Sequence, residues 1–171
     1  KGACRMAEEP SREEGPMRYR NPLLVVRDLE RSKAFYRKVL GLRVVADFGA
    51  NVTLTGGVCL QTLESWAGFI GKAPEAVTFG SLSGELYFEE DDFDGFLQRL
   101  ASMPEVEYLH SSKEHPWGQR AVRVFDPDRH VIEIGENMKA VCRRFLAEGM
   151  TVEQTAARMD VPEKFIRAWI R

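Results

Sequence analysis

The stretch His115–Glu136, HPWGQRAVRVFDPDRHVIEIGE, decides how the chain folds. It reads as two apolar strands, Arg120 to Phe125 and Val131 to Ile134, joined by Asp126-Pro127-Asp128. That junction suits a tight turn, because proline presets φ and aspartates bond their own backbone. One residue interrupts the apolar pattern. Glu133 stands inside Val-Ile-Glu-Ile, where a half-buried strand ordinarily places another apolar side chain. A carboxylate there is costly unless a metal, a partner or water meets it.

Working outward, the hairpin closes a pattern that occurs twice. Pro22 to Val26 reads as a buried strand. Asp28 caps a helix with Leu29, Ser32, Phe35, Tyr36, Val39 and Leu40 on its inward stripe, and Gly41 closes it. Three short strands follow, Leu42 to Ala46, Val52 to Thr55 and Val58 to Leu63, punctuated by Gly49 and Gly56-Gly57. The second copy starts with Glu85 to Glu89. Asp91 or Asp92 caps its helix, which carries Phe93, Phe96, Leu97 and Leu100 on one face and ends at Met103-Pro104. Val106 to Leu109, Arg120 to Phe125 and Val131 to Ile134 complete it. Aligning Asp28 with Asp92 superposes the halves, so the unit is a doubled βαβββ.

Between the copies, an apolar segment around Trp66, Phe69 and Ile70 leads into a Gly-, Pro- and Ser-rich connection. Residues 1–20 mix charge, proline and glycine without a period and read as a disordered leader or tag remnant. Residues 137–171 carry three short helical patterns, one opening with Thr151 and Gln154 in capping-box spacing. They form a helical appendage with a helix-turn-helix look. The central span, 21–136, is the main domain.

The bulk numbers exclude several classes. A chain of 171 residues suits one compact domain, or one domain plus a small appendage. A net charge of −2 gives no bulk attraction to nucleic acid or to an anionic membrane. No apolar run reaches membrane-spanning length. Cys4, Cys59 and Cys142 are odd in number and lack CxxC spacing, which points to a reducing cytoplasm.

The phrases N-P-L-L-V-V-R-D-L-E-R-S-K-A-F-Y-R-K-V-L-G-L and P-W-G-Q-R-A-V-R-V-F-D-P-D-R-H-V-I-E-I, in the doubled order, resemble the glyoxalase/bleomycin-resistance/extradiol-dioxygenase superfamily, also called vicinal oxygen chelate proteins. The resemblance implies an α+β fold in which two βαβββ modules form a cupped, barrel-like mixed sheet, here followed by the C-terminal helical appendage. It implies metal ligands on the first and last strands of each module. The corresponding positions are Asn21, Gln61, Glu85 and Glu133. None is histidine, so the two-histidine, one-carboxylate oxygenase pattern is absent. Oxygen donors of this kind suit Mg²⁺, Mn²⁺ or Ca²⁺ better than Zn²⁺ or Fe²⁺, and the set is also compatible with no metal at all.

Plainer roles stand beside these. Glu85 and Glu133 can pair with Arg120 or Arg123 in a wet cavity. Asn21 and Gln61 can satisfy backbone groups at strand ends. His130 lies in the turn after Asp-Pro-Asp, and His115 precedes Pro116-Trp117 in a loop that can border a cavity. His110 adds a third ring with no assigned base role. Trp66, Tyr87, Phe88 and Trp117 fit either a pocket lining or core packing. Alternation puts Tyr87 on the face of Glu85.

Three functional readings follow. The first is a cytoplasmic, glyoxalase-like lyase or isomerase acting on a small oxygenated or thiol-conjugated substrate. There Glu85 and Glu133 serve as catalytic carboxylates holding a divalent ion with Gln61 and Asn21, and Tyr87, Trp117, Arg120 and Trp66 line the substrate pocket. The second is a metal-free small-molecule-binding protein of the bleomycin-resistance type. The third is a ligand-responsive DNA-binding regulator using Arg158, Lys164, Arg167 and Arg171. The tail's charges alternate in sign, which favours packing on the domain or on a second subunit over nucleic acid. A homodimer is the assembly that the resemblance implies.

Overall fold

The structure, a computed structural model, describes residues 17–170. Most of the expected leader and Arg171 therefore lie outside the described residues. The first module runs β1 (Leu23–Val26), α1 (Leu29–Leu40), β2 (Val44–Asp47), β3 (Asn51–Leu54) and β4 (Cys59–Thr62). Helix α2 (Leu63–Ile70) follows. The second module runs β5 (Glu85–Glu90), α3 (Phe93–Ala101), β6 (Tyr108–Glu114), β7 (Arg120–Phe125) and β8 (Val131–Glu136). Helices α4 (Met138–Ala147), α5 (Val152–Met159) and α6 (Glu163–Trp169) end the chain.

Local chemistry sets the element ends. Asp28 accepts a hydrogen bond from the Arg31 amide at 2.9 Å, and Asp92 accepts one from the Gly95 amide at 3.0 Å. Each carboxylate satisfies a donor that the helix itself cannot use. Gly41 closes α1 in the left-handed region at φ 69°. The strand expected at Val106 to Leu109 instead starts at Tyr108 and runs to Glu114, while Val106 is a buried anchor ahead of it.

The two modules repeat one topology, with strand orders β1-β4-β3-β2 and β5-β8-β7-β6. In each, the first strand lies parallel to the last, and the remaining pairs are antiparallel. The expected cupped, barrel-like sheet is not formed. The strands make two separate open sheets, and among the described residues no strand of one joins the ladder of the other. The physical reason is in the edges. Closure would require β1, β2, β5 and β6 to find ladder partners, and these strands remain the sheet edges.

Side chains join the modules where backbone ladders do not. One apolar core includes Val26, Tyr36, Leu54 and Leu60 from the first module and Phe93, Phe96, Val122, Ile132 and Ile134 from the second. Above it, the Tyr36 hydroxyl donates to Asp126 at 2.9 Å and Arg27 donates to Asp128 at 3.1 Å. Both aspartates are buried in the turn between β7 and β8. Helices α4, α5 and α6 hold a second, smaller core built on Val141, Cys142, Phe145, Ala156, Met159 and Ile166.

Candidate functional site

Alternation along β7 and β8 sorts the second sheet into two faces. Val122, Val124, Ile132 and Ile134 turn toward the core with α3. The opposite face is polar, and register makes it a row. Tyr87 on β5 stands opposite Glu133 on β8, Glu133 opposite Arg123 on β7, and Arg123 opposite His110 on β6. Glu85 sits two residues before Tyr87 on the same face.

Arg123 is the hub of that row. Its guanidinium donates to Glu85 at 2.7 and 3.3 Å, to Glu133, and meets His110 Nε2 at 3.3 Å. Glu133 is 5% exposed, so its charge depends on this pairing. The two carboxylates titrate in opposite directions. The Arg123 hydrogen bond holds Glu85 below the usual carboxylate range. Burial, reinforced by the neighbouring Glu85, pushes Glu133 above it. Arg123 itself is held more firmly protonated by the same bonds.

An aromatic and amide chain borders the row. His115 and Trp117 stack with ring centroids 4.4 Å apart and planes 4° apart. Trp117 Nε1 donates to Gln119 Oε1 at 3.2 Å, and Gln119 Nε2 donates to the Tyr87 hydroxyl at 2.8 Å and to the Glu136 carbonyl at 2.9 Å. The Tyr87 hydroxyl donates to Glu89 at 3.1 Å. Burial raises the Tyr87 pKa, and burial together with the positive charge of Arg123 lowers that of His115. Gly135 makes room for this arrangement. A Cβ there would lie 2.8 Å from Gln119 Nε2 and 3.0 Å from the Tyr87 ring.

Four of the expected site residues thus share one region: Glu85, Glu133, Tyr87 and Trp117. Four others lie elsewhere. Gln61 Nε2 donates to Ser65 at 2.7 Å, and its carbonyl oxygen accepts from Asn51 at 2.8 Å, so the amide is spent within the first module. Asn21 donates to the Gly57 carbonyl at 2.6 Å on the surface. Trp66 is part of α2, which packs on β1 and β4 of the first sheet. Arg120 lies on the core-facing side of β7, bonded to Glu136 at 3.0 and 3.1 Å and to Asp94 at 2.7 Å. Gln119 and Gly135 were not anticipated. Counting in twos from Arg123 and from Glu133 puts both on the polar face, and that was the available signal.

Glu85 and Glu133 would hold a divalent ion only by turning their oxygens toward one point. Arg123 already stands between them, and its guanidinium takes up oxygens of both carboxylates. Gln61 and Asn21 are directed to other partners. As placed, this donor set does not fit a divalent ion. Among the described residues, no group of three or more His, Cys, Asp or Glu side chains could hold one.

Two of the tail cations named for DNA contact are engaged in ion pairs, and Lys164 lies 5.6 Å from the centre of the Phe165 ring. Arg158 pairs with Glu114 at 3.3 Å, and Arg167 with Glu153 at 3.2 Å and Glu163 at 3.0 Å. No helix among the described residues is long and apolar enough to cross a membrane.

Two mixed βαβββ sheets with a polar row on the last strand of the second define a glyoxalase-like domain. The family model described as "Glyoxalase-like domain" matches residues 19–139. The chain belongs to the glyoxalase/bleomycin-resistance/vicinal oxygen chelate superfamily. A protein of unknown function from Agrobacterium tumefaciens str. C58 is 38% identical, with a TM-score of 0.64, over 72% of this chain and 96% of that one. A glyoxalase-related enzyme from Fulvimarina pelagi is 22% identical, with a TM-score of 0.61, over 72% and 90%. A lactoylglutathione lyase from Agrobacterium tumefaciens is 24% identical, with a TM-score of 0.53, over 72% and 96%. The last two share the fold at that level of identity. The comparison with curated proteins gave no match.

Proposed function

We propose that this chain is a metal-free, small-molecule-binding member of its superfamily. Its ligand is a planar aromatic compound that carries a positive charge or several hydrogen-bond donors. The observation that carries this reading is the Arg123 guanidinium between Glu85 and Glu133, at the place a metal would need. One cation shared by two carboxylates leaves the row short of positive charge, and Glu89 adds to the deficit beside Tyr87. The His115–Trp117 stack supplies a flat π-surface, which suits an aromatic cation. The compartment proposed is a reducing one, in keeping with free thiols at Cys59 and Cys142, and the assembly proposed is a homodimer, checked by sedimentation.

The test pairs metal analysis with titration of proflavine, a planar aromatic cation. The expected result is purified protein without stoichiometric divalent metal and saturable proflavine binding that quenches tryptophan emission. Glu133→Gln and Trp117→Ala should each weaken binding about tenfold, the effect of losing one good polar or aromatic contact. A stoichiometric divalent ion lost in Glu133→Gln would overturn the proposal in favour of a glyoxalase-type lyase. So would a parent protein that binds no proflavine.

A further inference from the structure

The family match stops at residue 139, two residues into α4, yet the next residues reach back to the candidate site. Arg144 on α4 donates to the Gly118 carbonyl at 2.6 Å and to Glu136 at 3.2 Å. Gly118 belongs to the loop that presents His115 and Trp117. The Phe145 ring closes on the same glycine. A Cβ at Gly118 would lie 2.1 Å from Phe145 Cζ, and the residue adopts φ +87°, so only glycine fits beneath the ring. Glu136 is buried at the end of β8. Its burial works to raise its pKa, but Arg120 and Arg144 together outweigh that and hold it below the usual range. Its backbone carbonyl accepts from Gln119, which in turn holds the Tyr87 hydroxyl.

These contacts form one path: α4 to the 115–119 loop, through Gln119, to Tyr87. We infer that α4 is a clamp on the ligand face, with Arg144 and Phe145 as positioning residues that fix Trp117 and Gln119 for the ligand. The inference rests on the proposed binding face, but its geometry concerns the loop itself. Arg144 holds the two acceptors with one nitrogen, Nη2, while Nη1 faces Glu148 at 3.9 Å and Glu114 at 4.0 Å. A lysine ammonium ends one bond short of Nη2, so it would meet the Glu136 carboxylate and leave the Gly118 carbonyl without its partner.

The experiment uses the full chain. Trp66→Phe and Trp169→Phe leave Trp117 as the reporter among the three tryptophans. In that background Arg144→Met should raise acrylamide quenching of Trp117 and weaken proflavine binding about tenfold. Arg144→Lys should restore the thermal midpoint while Trp117 quenching stays high, which a purely structural arginine would not produce. Phe145→Leu should give an intermediate rise, and it decides the matter if Arg144→Met fails to fold. Arg143→Met, on the exposed side of the same helix, should change neither reading. A folded Arg144→Met or Phe145→Leu protein with parental Trp117 emission and quenching would overturn the clamp. Because quenching is read without ligand, it separates failure of the clamp from failure of proflavine to bind.

Discussion

Arg123 keeps two carboxylates of unequal character on one face. Glu85 is partly exposed and held below the usual carboxylate range by Arg123, whereas Glu133 is buried and pushed above it by burial. Arg123→Met leaves both without a counter-charge. The expected cost at neutral pH is about 2 kcal/mol, below the full penalty for breaking a buried pair because the guanidinium retains some exposure to water. Denaturant unfolding across pH checks the sign. In the parent, the lowered pKa of Glu85 contributes stability above its ordinary carboxylate range and loses it as pH falls. The raised pKa of Glu133 does the opposite, with its contribution complete at low pH and lost as pH rises through the folded value. The Arg123→Met deficit should therefore shrink as the solution is acidified and both carboxylates take up protons. A deficit that does not change with pH would show that the row is not electrostatically coupled. Glu133 stood out in the sequence as a charge within Val-Ile-Glu-Ile. Its partner did not, because Arg120 and Arg123 were equally available until strand alternation turned Arg120 to the other face.

At the scale of elements, α1 is fixed to the second module by its own side chains. Tyr36 is fully buried and donates to Asp126, which also meets His130 Nδ1 at 2.8 Å and accepts from the amides of Asp128 and His130. Burial, strengthened by Asp126, raises the Tyr36 pKa well above the ordinary phenol value, so the hydroxyl remains a donor. Tyr36→Phe removes one buried hydrogen bond and keeps the ring. The expected loss is about 1.5 kcal/mol by chemical denaturation, at the upper end for a neutral donor because the bond is buried and its acceptor is a carboxyl oxygen. A neutral result would mean that water replaces the phenol at Asp126. The helix cap at Asp28 was legible from spacing alone, and the second was narrowed to Asp91 or Asp92, because capping is decided within four residues. The start of β6 was not. Its ladder partner is β7, and pairing at long range overrode the local pattern that began at Val106.

For the whole molecule, two open sheets hold together through one shared apolar core and the ion-paired turn between β7 and β8. No divalent ion is needed in that scheme. Treatment with EDTA should leave the melting midpoint and proflavine binding unchanged. An ion bound only by the native state would stabilise it by mass action, so chelation would lower the midpoint. A drop on chelation, restored by Mg²⁺ or Mn²⁺, would count against the metal-free reading.

The sequence by itself determined the order of elements within each module, the doubling of the module, the cap at Asp28 and the family. These depend on local periodicity, turn chemistry and short phrases, all readable over a few residues. It also put Tyr87 on the face of Glu85 by strand alternation and marked Glu133 as a charge within an apolar strand. Only the tertiary structure decided three further matters. It left the two sheets open, because closure depends on edge partners far apart in the chain. It gave the cationic place between the carboxylates to Arg123 while Gln61 and Asn21 found partners elsewhere, because hydrogen bonds are settled by distance in space. It brought α4 back onto Gly118, because packing joins segments that the pattern of their own residues leaves unrelated.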